Sequence, residues 1–229
     1  MIKKWIPFIF LFNTAGLLAQ NVSDLPANSF PFNMSGNTVK AFDNRYEGVK
    51  GTYTFMDKFG RGNILLRTTL YNGVILNYDA VNDIALVKKD TVSEAFSLRK
   101  DMVENFTLIN NGESFHFVKA HLNGTPTYMI QLTNQKLKVY CKTTKVLKRS
   151  ELGGAYSSND KNFDEFVTDN KFYLLNDSGF SEIQKTKNGI AKAFGEHKDE
   201  VSRLLKSKRV DFNNLPLMTK LFAEIELLY

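Results

Sequence analysis

Two aspartates, Asp79 and Asp83, flank one short turn, and a pair of carboxylates is enough for acid–base or nucleophilic hydrolysis of a glycosidic bond. With Asn77 and Asn82 beside them, the same turn offers the oxygen donors that calcium takes. Asp and Asn are also the residues that hydrogen-bond their own backbone in tight turns. The first expectation for Asp79 and Asp83 is therefore a turn, with no catalytic residue and no metal ligand assigned.

Other chemistry is thinly supplied. His116 and His121 are five residues apart, which on a strand sends them to opposite faces, so they cannot share one ion without a bulge. Cys141 continues the alternate row of Leu137 and Val139, which predicts a buried structural thiol rather than a nucleophile. Three His and one Cys in 229 residues are too few for a zinc ribbon or an iron–sulfur cluster. No Gly-x-Ser-x-Gly elbow occurs. Gly60-Arg61-Gly62 opens like a dinucleotide fingerprint but lacks the third glycine, and it reads as a turn before a strand. No cofactor is expected.

Charge gives the one candidate surface. Between Lys136 and Arg149 stand six basic residues and no acid, whereas residues 21–135 carry 11 of each sign. Alternation places Lys136, Lys138, Tyr140 and Lys142 opposite the Leu137, Val139 and Cys141 row, as a basic stripe with one aromatic. Such a stripe suits lipid phosphates, acidic glycans or peptidoglycan carboxylates, so an anionic envelope component is the candidate partner. Lysines on a strand also guard it against edge pairing. A second basic group, Arg203, Lys206, Lys208 and Arg209, falls near the end of the chain. Nucleic acid is not expected: the net charge is small, no recognition motif occurs, and the chain reads as exported.

The elements that must position these residues follow from punctuation and period. Residues 1–20 run from Lys3 and Lys4 through an apolar stretch from Trp5 to Phe12 to Ala19-Gln20, the order of a secretory signal peptide. Removing it lowers the formal charge from +6 to +4 and takes the only tryptophan. The mature chain carries no apolar stretch long enough for a transmembrane helix. Residues 21–37 read as an extended lead-in. Residues 38–184 form short apolar alternations separated by turn pairs, including Asn72-Gly73, Asn111-Gly112 and Asn123-Gly124. The polar interval 150–163 is expected to be the most mobile loop. Residues 185–229 change to helical spacing, with stripes at Ile190 and Phe194, at Val201 and Leu205, and at Met218, Leu221, Phe222 and Ile225. The expected fold is mainly β (α+β): an antiparallel β-meander curling into a sandwich or partly open barrel, with a C-terminal helical subdomain packed on the sheet.

Gly51-Thr52-Tyr53, the turn from Asn77-Tyr78-Asp79 to Asp83, the Lys171–Leu175 strand and the Lys-rich terminal helices resemble a family of uncharacterised exported proteins of Bacteroidota. The resemblance implies a periplasmic or cell-envelope setting, or secretion, and a β body with a helical end. It brings no active site with it.

The function expected is that of a non-enzymatic binding or interaction module of the envelope. One alternative is a carboxylate-dependent hydrolase of envelope polysaccharide or peptide. A second is a small outer-membrane β-barrel, suggested by Leu221, Ala223, Ile225 and Leu227 alternating before the terminal Tyr229.

Overall fold

Apolar alternation between tight turns produces strands β1 (Thr38–Lys40), β2 (Gly60–Leu66), β3 (Thr69–Asp79), β4 (Ile84–Lys88), β5 (Phe96–Leu98) and β6 (Val103–Asn110). These are followed by β7 (Glu113–Leu122), β8 (Thr125–Gln131), β9 (Val139–Lys148), β10 (Glu165–Asn176) and β11 (Gly179–Ile183). The computed structural model describes residues 30–32, 38–40, 46, 48–150 and 163–229. The signal-peptide segment, most of the lead-in and most of the 150–163 interval lie outside the described residues. Among the described residues the strands form one antiparallel sheet in the order β1-β5-β4-β3-β2-β6-β7-β8-β9-β10-β11, which is not closed. The mainly-β α+β class is as expected.

The turns at Asn111-Gly112 and Asn123-Gly124 hold the positive φ angles of tight hairpins, 50° and 81° in one and 52° and 79° in the other. Asn72-Gly73 does not reverse the chain. The reversal falls at Arg67-Thr68, and Gly73 (φ 66°) sits inside β3 at a register shift, its N–H donating to Asn63 Oδ1 at 3.3 Å. The inward row on β2 is Ile64 and Leu66, while Leu70 is exposed. Gly60-Arg61-Gly62 is likewise the start of β2 rather than a turn. A Cβ on Gly62 would lie 2.0 Å from the Thr107 carbonyl oxygen, so this glycine lets the β6 backbone approach.

Curling brings distant strands together over the core. Tyr78 of β3 packs on Phe117 of β7 at 4.9 Å and edge-on to Tyr128 of β8 at 6.3 Å, and Phe106 stacks on Phe117 at 4.6 Å. Residues 50–55 then strap β3 to β10. Phe55 N–H donates to Tyr78 O and Lys50 N–H to Asp164 O, both at 2.8 Å, while Phe166 N–H donates back to Lys50 O at 3.0 Å.

The helices α1 (Lys187–Ala193), α2 (Lys198–Ser207) and α3 (Leu215–Glu226) follow the sheet. Thr186 caps α1 through the Gly189 N–H and Asn214 caps α3 through the Leu217 N–H. Phe222 of α3 meets Phe172 of β10 at 5.7 Å, and helix and sheet share one apolar cluster. Residues 221–226 belong to α3, so their alternation is not a strand. A membrane barrel needs a closed sheet, and this one ends on β1 and β11.

One polar cluster interrupts the ladder. Strands β8 and β9 pair only at Ile130↔Cys141 and Gln131↔Tyr140. Beyond that point the β3–β4 turn inserts between them, with Asp83 at φ 59°. Asp83 Oδ1 accepts from the Tyr128 N–H (3.2 Å), Tyr78 Oη (2.6 Å) and Lys142 Nζ (2.6 Å). Asp83 Oδ2 accepts from Lys100 Nζ (2.6 Å) and Thr127 Oγ1 (2.8 Å). Lys142 Nζ also donates to the Tyr128 carbonyl at 3.3 Å. Both backbone groups of Tyr128 are thus satisfied by an ion pair instead of a neighbouring strand. On the far side, Lys145 N–H donates to Ala80 O at 3.1 Å, joining β9 to the inserted turn.

Burial pushes the Asp83 carboxyl up, but the Lys142 charge and the hydrogen bonds from Lys100, Lys142 and Tyr78 prevail and hold it below its ordinary value. Its contribution to stability is therefore present above the unfolded-state carboxylate value and is lost as pH falls through the folded one. Asp83→Asn leaves the Lys142 ammonium, whose side chain is only 12% exposed, without its counter-charge and should cost about 3–5 kcal/mol. The double variant Asp83→Asn/Lys142→Met should recover part of that loss. Denaturant unfolding of the two variants and the parent protein checks this, and an unchanged midpoint for Asp83→Asn would show that the cluster is not structural.

Candidate functional site

Past Cys141 the inward row of β9 changes character. Val139 and Cys141 are fully buried in the core, whereas the next two inward positions are Thr143 and Lys145. The same change occurs on β10, where Phe172 is followed in the register by Asn170 and Thr168, opposite Thr143 and Lys145. Two adjacent strands thus turn polar on the same face at the same end of the sheet. Thr143 Oγ1 donates to Asn170 Oδ1 at 2.8 Å, and Asn170 Nδ2 donates to Phe212 O at 3.0 Å. That last bond fixes the loop before α3 over the open end.

Between that loop and the sheet lies a cleft of about 500 Å³. Its apolar end is formed by Phe55 of the strap and Phe115 of β7, edge to face at 5.0 Å. Lys145, Thr168 and Asn170 line the sheet side, and Asp211, Asn213 and Asn214 line the loop side. Clefts of this size with an apolar surface and a few convergent polar groups are where small ligands bind.

Lys145 is the residue in this cleft with chemistry to spare. Among the described residues its ammonium has no hydrogen-bond or ion-pair partner, unlike Lys100 and Lys142, which are held by Asp83. Burial depresses its pKa, opposed by the charge of exposed Asp57. Across the cleft, Asp211 Oδ1 accepts from the Asn213 N–H at 3.1 Å, and among the described residues Oδ2 has only the exposed Arg209 guanidinium, at 4.0 Å.

The residues predicted from sequence are distributed differently. Asp79 is a turn former, with Oδ1 accepting from the N–H groups of Val81 (3.0 Å) and Asn82 (2.8 Å) and Oδ2 from Asn82 Nδ2 at 2.8 Å. Asp83 instead holds the Lys142 and Lys100 ammonium groups. Asn77 faces the Met56 backbone, its amide donating to the carbonyl at 2.8 Å. No group of three His, Cys, Asp or Glu side chains converges among the described residues.

The basic stripe is not one exposed row. Lys136 and Lys138 are exposed. Tyr140 is buried on the outer face of the sheet with Met129 and Tyr173, its ring edge-on to Phe180 at 5.4 Å. Lys142 is drawn between β8 and β9 to Asp83. Of the second basic group, Lys208 pairs with Glu224 at 2.6 Å. Burial lowers the His116 pKa, and its Nδ1 lies 3.0 Å from Thr107 Oγ1. The Cys141 thiol is pushed up to about 12 by burial, which keeps it inert.

Comparison with known protein families, with curated proteins and with solved structures finds no match.

Titration of Lys145 by NMR, with its side-chain resonance assigned by comparison with Lys145→Met, should give a midpoint below that of ordinary lysines. Asp57→Asn should lower it further, because that carboxylate is what holds the charged form up. A midpoint indistinguishable from exposed lysines would mean that the ammonium is solvated rather than facing the cleft.

Proposed function

We propose that the protein is an exported, non-enzymatic binding module of the cell envelope, and that the cleft between β9, β10 and the loop before α3 is its ligand seat. The observation that carries this reading is Lys145: a half-buried ammonium in a cleft with two phenylalanines and polar side chains, which among the described residues makes no hydrogen bond or ion pair and feels only the charge of exposed Asp57. A half-buried charge held unpaired costs free energy, which a bound acid group would offset. Phe55 and Phe115 supply apolar contact beside it. The signal-like pattern of residues 1–20 and the resemblance to exported proteins of Bacteroidota support the location. Asp79 and Asp83, the acids considered for hydrolysis, are held by the turn backbone and by two lysines, so no observation favours that alternative.

A fluorescent aromatic sulfonate such as anilinonaphthalene sulfonate combines an anion with a flat apolar body and serves as a probe. The folded protein should bind it, and Lys145→Met should weaken binding by roughly tenfold, the effect of one lost charge-assisted contact. Binding should also fall as pH rises through the depressed Lys145 value, at lower pH than an ordinary lysine would require. Equal binding by parent and variant would place the dye elsewhere and remove Lys145 from the seat.

Location is checked by fractionating cells that express the full chain and washing the membrane pellet in high salt. Recovery in the periplasmic or secreted fraction, or release by salt, is expected. Retention in the cytoplasm would overturn export.

A further inference from the structure

The cleft carries both signs of charge, and this restricts what it can hold. Lys145 projects from the sheet side, and Asp211 stands on the loop side. Among the described residues the two do not pair with each other: Lys145 makes no ion pair and feels exposed Asp57 only through its charge, and the cation that Asp211 meets is Arg209, at 4.0 Å. Two opposite charges that share a cleft of about 500 Å³ without neutralising each other are a complementary template for a molecule bearing both. A polyanion would meet Asp211, and a polycation would meet Lys145; each would lose by repulsion what it gained by attraction.

The remaining walls define the rest of the ligand. Phe55 and Phe115 meet edge to face and leave an apolar surface next to Lys145. Asn213 and Asn214 line the cleft beside Asp211. Asn214 uses its oxygen to cap α3, and Asn170 and Thr143 are committed to each other, so the polar wall is held in place before any ligand arrives.

We infer that the ligand is an amphoteric molecule with an apolar side chain, an amino acid or short peptide. Its carboxylate faces Lys145, its ammonium faces Asp211, and its side chain lies on Phe55 and Phe115. This rests on the cleft being the ligand seat and goes further by fixing the ligand's charge pattern. It also separates this cleft from the acidic glycans and phosphates that a surface of lysines alone would attract.

Isothermal titration with L-phenylalanine and with the dipeptide Leu-Phe, beside their N-acetylated and C-amidated forms, tests the inference. The zwitterionic forms should bind roughly tenfold more tightly than either blocked form, one charge-assisted contact being lost in each. The tighter of the free amino acid and the dipeptide identifies which of the two spans the charges. In Asp211→Asn the acetylated and free forms should bind alike, and in Lys145→Met the amidated and free forms should bind alike. Circular dichroism and melting confirm that both variants fold. If acetylated phenylalanine binds as tightly as phenylalanine, the amphoteric inference is overturned while the cleft remains a seat for simple anions. If neither the zwitterions nor the aromatic sulfonate bind, the seat and the inference fall together.

Discussion

The ion pair of Asp83 and Lys142 stands where hydrogen-bond rungs between β8 and β9 would otherwise be. A backbone N–H and C=O buried without partners would each cost on the order of 1–3 kcal/mol. At Tyr128 a carboxylate and an ammonium fill both roles. The pair is tolerable in that setting because it is saturated: Asp83 receives five donors, from two lysines, a tyrosine, a threonine and a backbone amide. Buried charges do not stabilise by attraction alone. The value of this one is geometric, since it lets β9 leave β8 without orphaning the backbone. The polar end of the β9 row and the Asn170 seat of the loop before α3 lie on the side where the strands have parted.

Much of the architecture was legible because it is local. Asn111-Gly112 and Asn123-Gly124 reverse the chain since Asn and Gly accept positive φ at little cost, and the final three apolar stripes form helices because they keep the helical period, which in Met218, Leu221, Phe222 and Ile225 outweighs the alternation of Leu221, Ala223, Ile225 and Leu227. The reading failed where a long-range contact outweighed a local signal. Asn72-Gly73 has the same chemistry as the other two pairs, but the apolar row of Ile64 and Leu66 and the close approach of β6 to Gly62 fix the reversal earlier. The stripe is not one exposed row for a similar reason. Lys142 has its partner 59 residues away, and Tyr140 has apolar neighbours on β8, β10 and β11 that alternation along one strand cannot reveal.

The cleft did leave a trace. Along β9 the alternate positions read Val139, Cys141, Thr143, Lys145, and along β10 they read Phe172, Asn170, Thr168. Each row changes from apolar to polar partway, which a strand buried along one whole face does not do. Alone, either change resembles the fraying of a strand end. Only the register that sets Thr143 against Asn170 and Lys145 against Thr168 shows that the two changes are one. Phe55 and Asp211 leave no such trace, since both stand in irregular segments whose position depends on the strap and on Phe212.

The strap also orders events in time. Residue Lys50 emerges early in synthesis, yet the Asp164 and Phe166 groups it bonds to are made only after strands β1 to β9 have been synthesised. Hairpins between neighbours form from local encounters, whereas this contact must close about half of the chain into a loop and is slow for that entropic reason. The curled sheet can thus assemble progressively while its mouth stays untied. Phe55 is already tied to β3 through Tyr78, and the wall made last is the loop that carries Asp211, Asn213 and Asn214, so a nascent or truncated chain can be largely folded and still have nowhere to hold a ligand.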